Sequence, residues 1–200
     1  MKILAFVDTH TSLKALERIR KKAKTEKPDI ILCAGDISIF EHGIQHSLFF
    51  LNKLKIPVLI IQGNHEREKF MVKACKLFKN IAFIHKKCYK KNNIIVLGYG
   101  GGGFELRDST FKKFSKKFKK IIAKNKDKKI ILLLHGPPYG TKVDKIVGQY
   151  AGNKDVRDFI ERNKIDYAIC GHLHENFGKT GKIKKAIVMN PGPYGKIIKL

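Results

Sequence analysis

Eight polar side chains follow short apolar runs in the sequence, and their chemical types are those of metal ligands. They comprise two carboxylates, one amide and five imidazoles, at Asp8, His10, Asp36, Asn64, His65, His135, His172 and His174. Mixed oxygen and nitrogen donors of this kind suit divalent transition metals. Two such ions about 3.5–4 Å apart lower the pKa of a bridging water and hold phosphoryl oxygens, which is how two-metal sites hydrolyse phosphate esters. The set therefore predicts a two-metal hydrolase.

The runs that precede these residues are unbroken apolar stretches. They cover residues 3–7, 30–34, 58–61, 130–134 and 167–170. Stretches of this length are typical of strands buried on both faces of a sheet. In open α/β sheets, sites assemble beyond the carboxyl ends of the strands. Residues spread from position 8 to position 174 are therefore expected to converge on one cleft.

Helix-like segments alternate with these strands, which predicts βαβ units and largely parallel pairing. Helices are expected at residues 12–24, 41–54, 66–78 and 153–163, and later strands at 186–189 and 196–200. A further segment repeats Phe111, Phe114 and Phe118 at helical spacing among lysines, and we expect its apolar stripe to pack on a sheet. No linker, repeat or low-complexity tract interrupts the pattern, so we expect one domain spanning residues 1–200.

The composition favours a globular chain in a reducing compartment. The sequence has 200 residues, of which 43% are hydrophobic, enough for a sizeable core. Its four cysteines form no CxxC pair. The first residues lack a signal-peptide core, and no apolar run reaches membrane-spanning length. We therefore expect a cytoplasmic protein without a membrane partner.

The net charge is strongly positive. Lys and Arg number 42 against 17 Asp and Glu, which gives a formal charge of +25. Such a surface attracts polyanions, so nucleic acid is one candidate partner. The lysines are spread over almost the whole chain, however, and a nucleic-acid site is identified by a patch rather than by a total. This distribution favours a solvated lysine-rich surface.

Five ordered motifs carry the predicted ligands. They are DTH at 8–10, GD at 35–36, GNHE at 63–66, HGPP at 135–138 and GHLH at 171–174. In this order they resemble the calcineurin-like metallophosphoesterase superfamily. The longer blocks HGPPYG and GHLHE are most similar to its small single-domain phosphodiesterase-like branch, related to class III cyclic-nucleotide phosphodiesterases. The resemblance implies an α/β fold that is a four-layer α/β/β/α sandwich, with two mixed sheets flanked by helices.

The resemblance also implies a role for each position. One metal would be held by Asp8, His10 and His174, and the other by Asn64, His135 and His172. Asp36 would bridge the two ions. His65 would be the non-ligating histidine that contacts the phosphoryl group and protonates or stabilises the leaving oxygen, which suits an imidazole. The cofactors expected are two divalent ions, manganese before iron, zinc, nickel or cobalt.

One departure from the family pattern concerns the support of this histidine. Many members read GDxxD, and the second acid supports the catalytic histidine, whereas Ile39 stands in that place here. We expect Glu66 or a backbone carbonyl to replace it. Thr11 also follows His10 where many members have glycine, and neither change touches a metal ligand.

Two other patterns are weaker. Gly98, Gly100 and Gly103 match the spacing GxGxxG of dinucleotide folds, but no clear helix starts at the third glycine, so we expect a loop beside the metal cleft. His42 and His46 share the spacing of a zinc-protease HExxH, but Gly43 replaces the glutamate. We expect these histidines on the surface or at the rim of the pocket.

The leading functional hypothesis is a metal-dependent phosphoesterase, more specifically a phosphodiesterase acting on a small or nucleotide-like substrate through a metal-bridging hydroxide. An alternative keeps the chemistry and makes the substrate DNA or RNA, towards which the positive charge would steer the enzyme. A third reading is a catalytically silent interaction scaffold of the same fold, which would have no need of His65. The sequence does not fix the oligomeric state.

Overall fold

The computed structural model describes residues 1–200. The elements follow in this order: β1 (Lys2–Phe6), α1 (Leu13–Glu26), β2 (Ile30–Cys33), α2 (Ile44–Asn52), β3 (Val58–Ile60), α3 (Glu68–Cys75), β4 (Ile81–Phe83), β5 (Lys87–Lys91), β6 (Ile94–Tyr99), α4 (Ser109–Ala123), β7 (Lys129–Leu134), β8 (Lys145–Ile146), β9 (Gln149–Tyr150), α5 (Lys154–Arg162), β10 (Tyr167–Ile169), β11 (Thr180–Ile183), β12 (Ala186–Met189) and β13 (Lys196–Lys199). None of the five helices combines the length and the apolar character that crossing a membrane requires.

The strands form two mixed sheets and one small hairpin. The first sheet has the order β13-β1-β2-β3-β4, and only β13 runs antiparallel to its neighbour. The second has the order β11-β12-β10-β7-β6-β5, with parallel pairing at its centre and an antiparallel strand at each edge. Parallel central strands bring the ends of β1, β2 and β3, and those of β7 and β10, to the same side of each sheet.

Three apolar cores separate four layers. The middle core lies between the sheets and joins residues of both, such as Ile3 and Leu32 with Val96 and Leu133. One outer core packs α1, α2 and α3 on the first sheet. The other packs α4 and α5 on the second sheet, and it buries the phenylalanine stripe of α4. The predicted four-layer α/β/β/α sandwich of two mixed sheets is confirmed.

Three of the five helices, α1, α4 and α5, begin at a side chain that caps them. The Ser12 hydroxyl accepts a hydrogen bond from the Ala15 amide at the start of α1, 3.3 Å away. Asp108 does the same for α4, where its carboxylate accepts from the Phe111 amide at 2.8 Å. Each cap satisfies an amide that has no partner within its own helix. The start of α1 matters for the site, because its cap lies two residues after His10 of the DTH motif.

Two predicted helices are shorter than expected. The segment 41–54 is helical only over Ile44–Asn52, because Phe40 and Glu41 form a tight turn. The segment 66–78 is helical only over Glu68–Cys75, because Glu66 turns its carboxylate inward to bind backbone amides. Strands β4, β5, β8, β9 and β11 were not predicted, since they are short or rich in lysine. Such sequences are typical of sheet edges, where polar residues discourage pairing with other chains.

Candidate metal centre

The eight predicted site residues follow the carboxyl ends of five strands, β1, β2, β3, β7 and β10. The first sheet supplies Asp8, His10, Asp36, Asn64 and His65, and the second supplies His135, His172 and His174. The structure brings all eight residues together. Ligand-type atoms from both sheets thus meet in one cluster.

One group of converging atoms comprises Asp8, His10 and His174, with ligand atoms all within 4.8 Å of one another. Nδ1 of His10 donates a hydrogen bond to the Ser38 carbonyl at 3.0 Å, which leaves the lone pair of the neutral ring on Nε2. That nitrogen lies 3.3 Å from Nε2 of His174. Two imidazole nitrogens and a carboxylate aimed at the same space could hold a divalent cation.

A second group is centred on the amide of Asn64. Its Oδ1 lies 2.9 Å from Nε2 of His135 and 2.9 Å from Nδ1 of His172. Nδ1 of His135 donates to the Ala34 carbonyl at 2.9 Å, so its Nε2 faces the cluster. A ring held from behind in this way is the usual arrangement of a histidine ligand. The group could therefore hold a second cation.

Asp36 lies between the two groups and is only 2% exposed. Its Oδ2 is 3.4 Å from Nε2 of His135, 3.8 Å from Nε2 of His10 and 4.0 Å from Nε2 of His65. Its Oδ1 accepts a hydrogen bond from the His65 amide at 2.9 Å. A carboxylate within reach of both groups is placed as a bridging ligand would be.

Two buried atoms of the cluster have no hydrogen-bond partner, and a cation would account for them. They are Oδ1 of Asp8 and Nε2 of His172. The other oxygen of Asp8 accepts from the His172 amide at 3.0 Å. Leaving a buried polar atom unsatisfied costs about 1–3 kcal/mol, so such atoms need an explanation. The donor set, with two carboxylates, one amide oxygen and neutral imidazoles, fits divalent metal ions.

The pKa values of the cluster also favour a cation-binding site. Burial raises the pKa of Asp8 to about 6. Burial also acts on Asp36, but the hydrogen bond and the charge of His135 outweigh it and lower the pKa of Asp36 to about 2. Burial of His135 acts to lower the pKa of its ring, but the hydrogen bond and the charge of Asp36 outweigh burial and raise this pKa to about 9. Burial and the charge of His135 lower the pKa of His172 to about 4, which keeps its ring neutral. A divalent cation would take the place of the proton on His135.

The backbone is strained where it delivers these side chains. Asp8, His10, Asp36 and His172 all have positive φ, at 54°, 42°, 52° and 68°. For residues other than glycine this conformation costs on the order of 1 kcal/mol each, and it persists only where surrounding structure enforces it. Here hydrogen bonds enforce it: the amide of Asp8 donates to the Gly35 carbonyl at 3.1 Å, and that of His10 to the Asp36 carbonyl at 3.0 Å.

Glu66 braces the loops that follow β2 and β3. Its buried carboxylate accepts from the amides of Asp36 at 3.0 Å, Ser38 at 3.0 Å and Gly63 at 2.9 Å, and from the Ser38 hydroxyl at 2.7 Å. All four partners are donors, so both oxygens are fully used. The expectation that Glu66 supports the side chain of His65 is wrong, because the glutamate binds backbone amides instead.

His65 is supported by a backbone amide rather than by a carboxylate or a carbonyl. The Phe40 N–H donates to Nδ1 of His65 at 3.2 Å. An amide only donates, so Nδ1 accepts and the proton of the neutral ring lies on Nε2. The Glu41 N–H donates to the His65 carbonyl at 3.0 Å, which ties the same turn to this residue a second time. This support could not be predicted from residue types, because almost any residue in a turn of suitable shape supplies a backbone amide.

Two motif glycines are required by close approach. A Cβ on Gly63 would lie 2.0 Å from Oδ1 of Asp36. A Cβ on Gly171 would lie 2.2 Å from the Val7 side chain and 2.8 Å from Oδ2 of Asp8. Backbone therefore packs directly on a carboxylate in both halves of the site.

The weaker motifs fall outside the cluster. The glycine loop passes beside it, since a Cβ on Gly103 would lie 3.9 Å from the His172 ring, and no helix starts there because α4 begins at Ser109. The prediction of a loop beside the cleft is confirmed. His42 and His46 are exposed and belong to none of the ligand groups, which confirms their placement on the surface.

The fold and the site together define a metal-dependent hydrolase of phosphoesters, and comparison with known proteins gives the family. The sequence profile of the calcineurin-like phosphoesterases matches residues 1–176. The chain belongs to the calcineurin-like phosphoesterase family, which confirms the resemblance found in its motifs.

The chain is also similar to one relative and to solved structures. The uncharacterized protein MJ1162 of Methanocaldococcus jannaschii is 30% identical over 206 residues, covering 96% of this chain and 88% of the relative. The crystal structure of TT1561 from Thermus thermophilus has a TM-score of 0.75 at 17% identity, covering 96% of this chain and 89% of the other. A dimetal phosphatase from Danio rerio has a TM-score of 0.65 at 10% identity, covering 94% and 86%. These two structures share the fold.

Proposed function

We propose that this chain is a phosphodiesterase that uses two divalent ions, manganese first among them, to hydrolyse a small or nucleotide-like phosphodiester. The observation that carries the proposal is the position of Asp36 between two ligand groups, beside a histidine whose N–H faces the same carboxylate. Divalent ions bound there would offset the charge of the phosphoryl group and activate water. Residues 1–200 would act as one catalytic domain.

The protein residues would divide the work as follows. One ion would be held by Asp8, His10 and His174, and the other by Asn64, His135 and His172. Asp36 would contact both ions. The hydrogen bonds of His10 to Ser38 and of His135 to Ala34 keep both rings oriented before any ion binds.

His65 would act on the leaving group. Its Nδ1 is occupied by the Phe40 amide, so Nε2 presents the ring's N–H to the site, 4.0 Å from Oδ2 of Asp36. A donor fixed at this position stabilises negative charge that develops on a leaving oxygen. An interaction scaffold would have no use for a histidine oriented in this way, so the geometry favours an enzyme.

Two clusters of positive charge lie on the outside of the sandwich. Cationic side chains line the exposed face of α1 at Lys14, Arg18, Arg20, Lys21 and Lys24, and the exposed face of α4 is also rich in lysine. These helices cover the outer faces of the two sheets, whereas the ligands lie at the strand ends. This separation favours a small substrate over DNA or RNA.

The test is hydrolysis of bis-p-nitrophenyl phosphate by metal-depleted protein to which Mn²⁺ is returned. Activity should require the metal, should disappear with a chelator, and should fall by about a thousandfold or more in Asp36→Asn, since a group contacting both ions is lost. Asp127→Asn, an exposed carboxylate far along the chain, is the matched control. Activity that survives both chelation and Asp36→Asn would overturn the proposal, and salt-sensitive cleavage of single-stranded DNA in preference to small diesters would favour a nuclease.

A further inference from the structure

Two phenylalanines stand open to solvent against histidines of the site. Phe40 is 70% exposed and its ring centroid lies 4.3 Å from that of His65. Phe104 is 68% exposed and its centroid lies 4.7 Å from that of His172. Of 13 phenylalanines in the chain these are the two most exposed. Single exposed apolar residues are common on proteins, but here the two most exposed rings both border the same cluster.

Phe40 occupies a turn that suits glycine or asparagine far better. The amide of Ile39 donates to the His42 carbonyl at 3.2 Å and the His42 amide donates back at 2.9 Å, which closes a two-residue hairpin turn. The turn residues Phe40 and Glu41 have φ of 48° and 72°. Positive φ at both positions is the type I′ pattern, which Asn-Gly fills at little cost. A bulky ring here is unfavourable, and its exposure means that burial does not compensate.

The turn is nevertheless held firmly against the residues that flank His65. Arg67 donates to the Glu41 carboxylate through Nε at 2.8 Å and Nη2 at 2.7 Å, a two-pronged ion pair, and its amide donates at 3.1 Å. The Phe40 and Glu41 amides both donate to His65. An unfavourable conformation enforced by this many contacts is a sign of function at the enforced position.

We propose that the Phe40 ring is a stacking platform for a planar aromatic group of the substrate, carried on the side of the leaving oxygen. This inference rests on the proposed function, because it places the leaving oxygen near His65. One side of the ring contacts His65 and most of the rest is open, so a second ring has room to stack. Aromatic groups stack offset or edge-on at centroid distances of about 4.5–7 Å. Every nucleobase offers a face for such stacking, so nucleotide-like esters belong to this class.

The surroundings favour a flat ring over a long alkyl chain. Glu41 follows Phe40 in the chain and Glu105 follows Phe104, and Glu105 is exposed. Each exposed ring is therefore followed directly in the chain by a charged residue rather than by a second apolar one. A lipid-like chain needs a continuous apolar groove, whereas a single aromatic ring needs one exposed face. Phe104 would border the same substrate on the side of His172.

Phosphonates that are not hydrolysed test the platform by binding alone. Isothermal titration of the Mn²⁺-loaded protein would compare phenylphosphonate, butylphosphonate and methylphosphonate. Phenylphosphonate should bind about tenfold more tightly than methylphosphonate, as expected for one stacked ring. Phe40→Leu should remove most of this preference and leave butylphosphonate binding nearly unchanged. The matched control is Phe49→Leu, which alters a half-exposed ring on α2.

A second variant separates a functional ring from a structural one. Phe40→Asn keeps the amide that binds His65 and places in the turn a residue that adopts positive φ readily. Its melting temperature should rise while the preference for phenylphosphonate is lost. A lower melting temperature, or a phenyl preference that survives in both Phe40 variants, would overturn the inference. Equal losses of phenyl and butyl binding would do the same.

The outcome is separable from that of the proposed function. Turnover of bis-p-nitrophenyl phosphate tests the enzyme, whereas the phosphonate ratio tests the ring. A protein that binds phenylphosphonate through Phe40 but hydrolyses no ester would overturn the function and leave the platform. An active enzyme with an unchanged ratio in Phe40→Leu would overturn the platform alone.

Discussion

The two sheets make different contributions to the metal centre. The first sheet supplies both carboxylates, the amide and the oriented histidine, and its loops are tied to one another by Glu66. The second sheet supplies only imidazoles. Two of these are fixed by bonds that cross to the first sheet, from Nδ1 of His135 to the Ala34 carbonyl at 2.9 Å and from the His172 amide to Asp8 at 3.0 Å. We call the site residues of the first sheet, together with Glu66, the first half or frame of the site. His135, His172 and His174 form the second half, which is positioned against this frame.

Charge is divided in the same way. All of the negative charge of the cluster comes from Asp8 and Asp36 of the first sheet. Burial lowers the pKa of both His172 and His174 of the second sheet, which keeps these rings neutral and ready to bind a cation. A damaged frame should therefore disturb both ligand groups, whereas loss of a single imidazole of the second sheet should disturb only the group to which that ring belongs.

Of the changes that distinguish the two sheets, Glu66→Gln should have the largest effect, because it breaks the frame. The glutamine amide group would face backbone N–H donors, so at least one buried donor loses its partner at a cost of about 1–3 kcal/mol. Loops carrying Asp36 and Asn64 would lose their common anchor, and activity should fall by more than about a hundredfold. Chemical denaturation, metal analysis and diester turnover would measure the three consequences.

Glu17→Gln is the control for this change, because Glu17 makes only an exposed ion pair with Arg20. If Glu66→Gln binds both ions with unchanged affinity, the first half does not depend on its buried brace. The distinction between frame and positioned half would then fail.

The next effect should come from His135→Asn, which breaks the second half alone. Its removal takes one proposed ligand from the group around Asn64 and leaves Asp8, His10 and His174 in place. Metal analysis should find about one ion per chain instead of two, with activity about a hundredfold lower. His46→Asn, an exposed histidine, should change neither quantity. Loss of both ions would show that the two groups are not independent.

The sequence predicted the ligands better than their supports. Apolar runs located β1, β2, β3, β7 and β10, and the residues after them meet in the structure, because a buried strand and a ligand are both set by residue type. The partner of His65 was not predictable, since it is a backbone amide whose position depends on the Phe40–Glu41 turn. The lysine-rich strand β5 was missed because edge strands need little apolar surface. Residue types show which side chains can bind a metal, whereas the backbone positions that support those side chains are set only by folding.

A smaller effect should appear in the pH dependence of stability, at a joint between the sheets. His85 follows β4 of the first sheet, and its Nδ1 accepts from the Gly100 amide, just beyond β6, at 2.8 Å. Burial, with a contribution from Lys86, lowers the pKa of His85 to about 4, although nearby Glu68 acts in the opposite direction. The unfolded chain takes up this proton near pH 6.5, so stability should fall as the pH is lowered from about 6.5 to about 4.

The expected loss is on the order of 2 kcal/mol, measured by urea denaturation at pH 7 and pH 4. His85→Gln keeps an acceptor for the Gly100 amide and does not titrate, so its stability should depend less on pH over this window. If the free energy of unfolding depends equally on pH in the two proteins, protonation of His85 does not affect the contact between the sheets.

The smallest effect should come from Arg67→Lys, which loosens the turn at the edge of the frame without touching a ligand. Lysine keeps the charge but loses the two-pronged contact with Glu41, and exposed ion pairs add less than about 1 kcal/mol to stability. Unfolding and metal content should therefore stay close to wild type. The turn holds the amide that orients His65, so kcat should fall by up to about tenfold, most for diesters with poor leaving groups, with KM little changed. Arg20→Lys, which loosens an exposed pair on α1, is the control. A kcat unchanged for every leaving group would mean that His65 keeps its orientation without the clamp, and the rigidity of the first half would then rest on Glu66 alone.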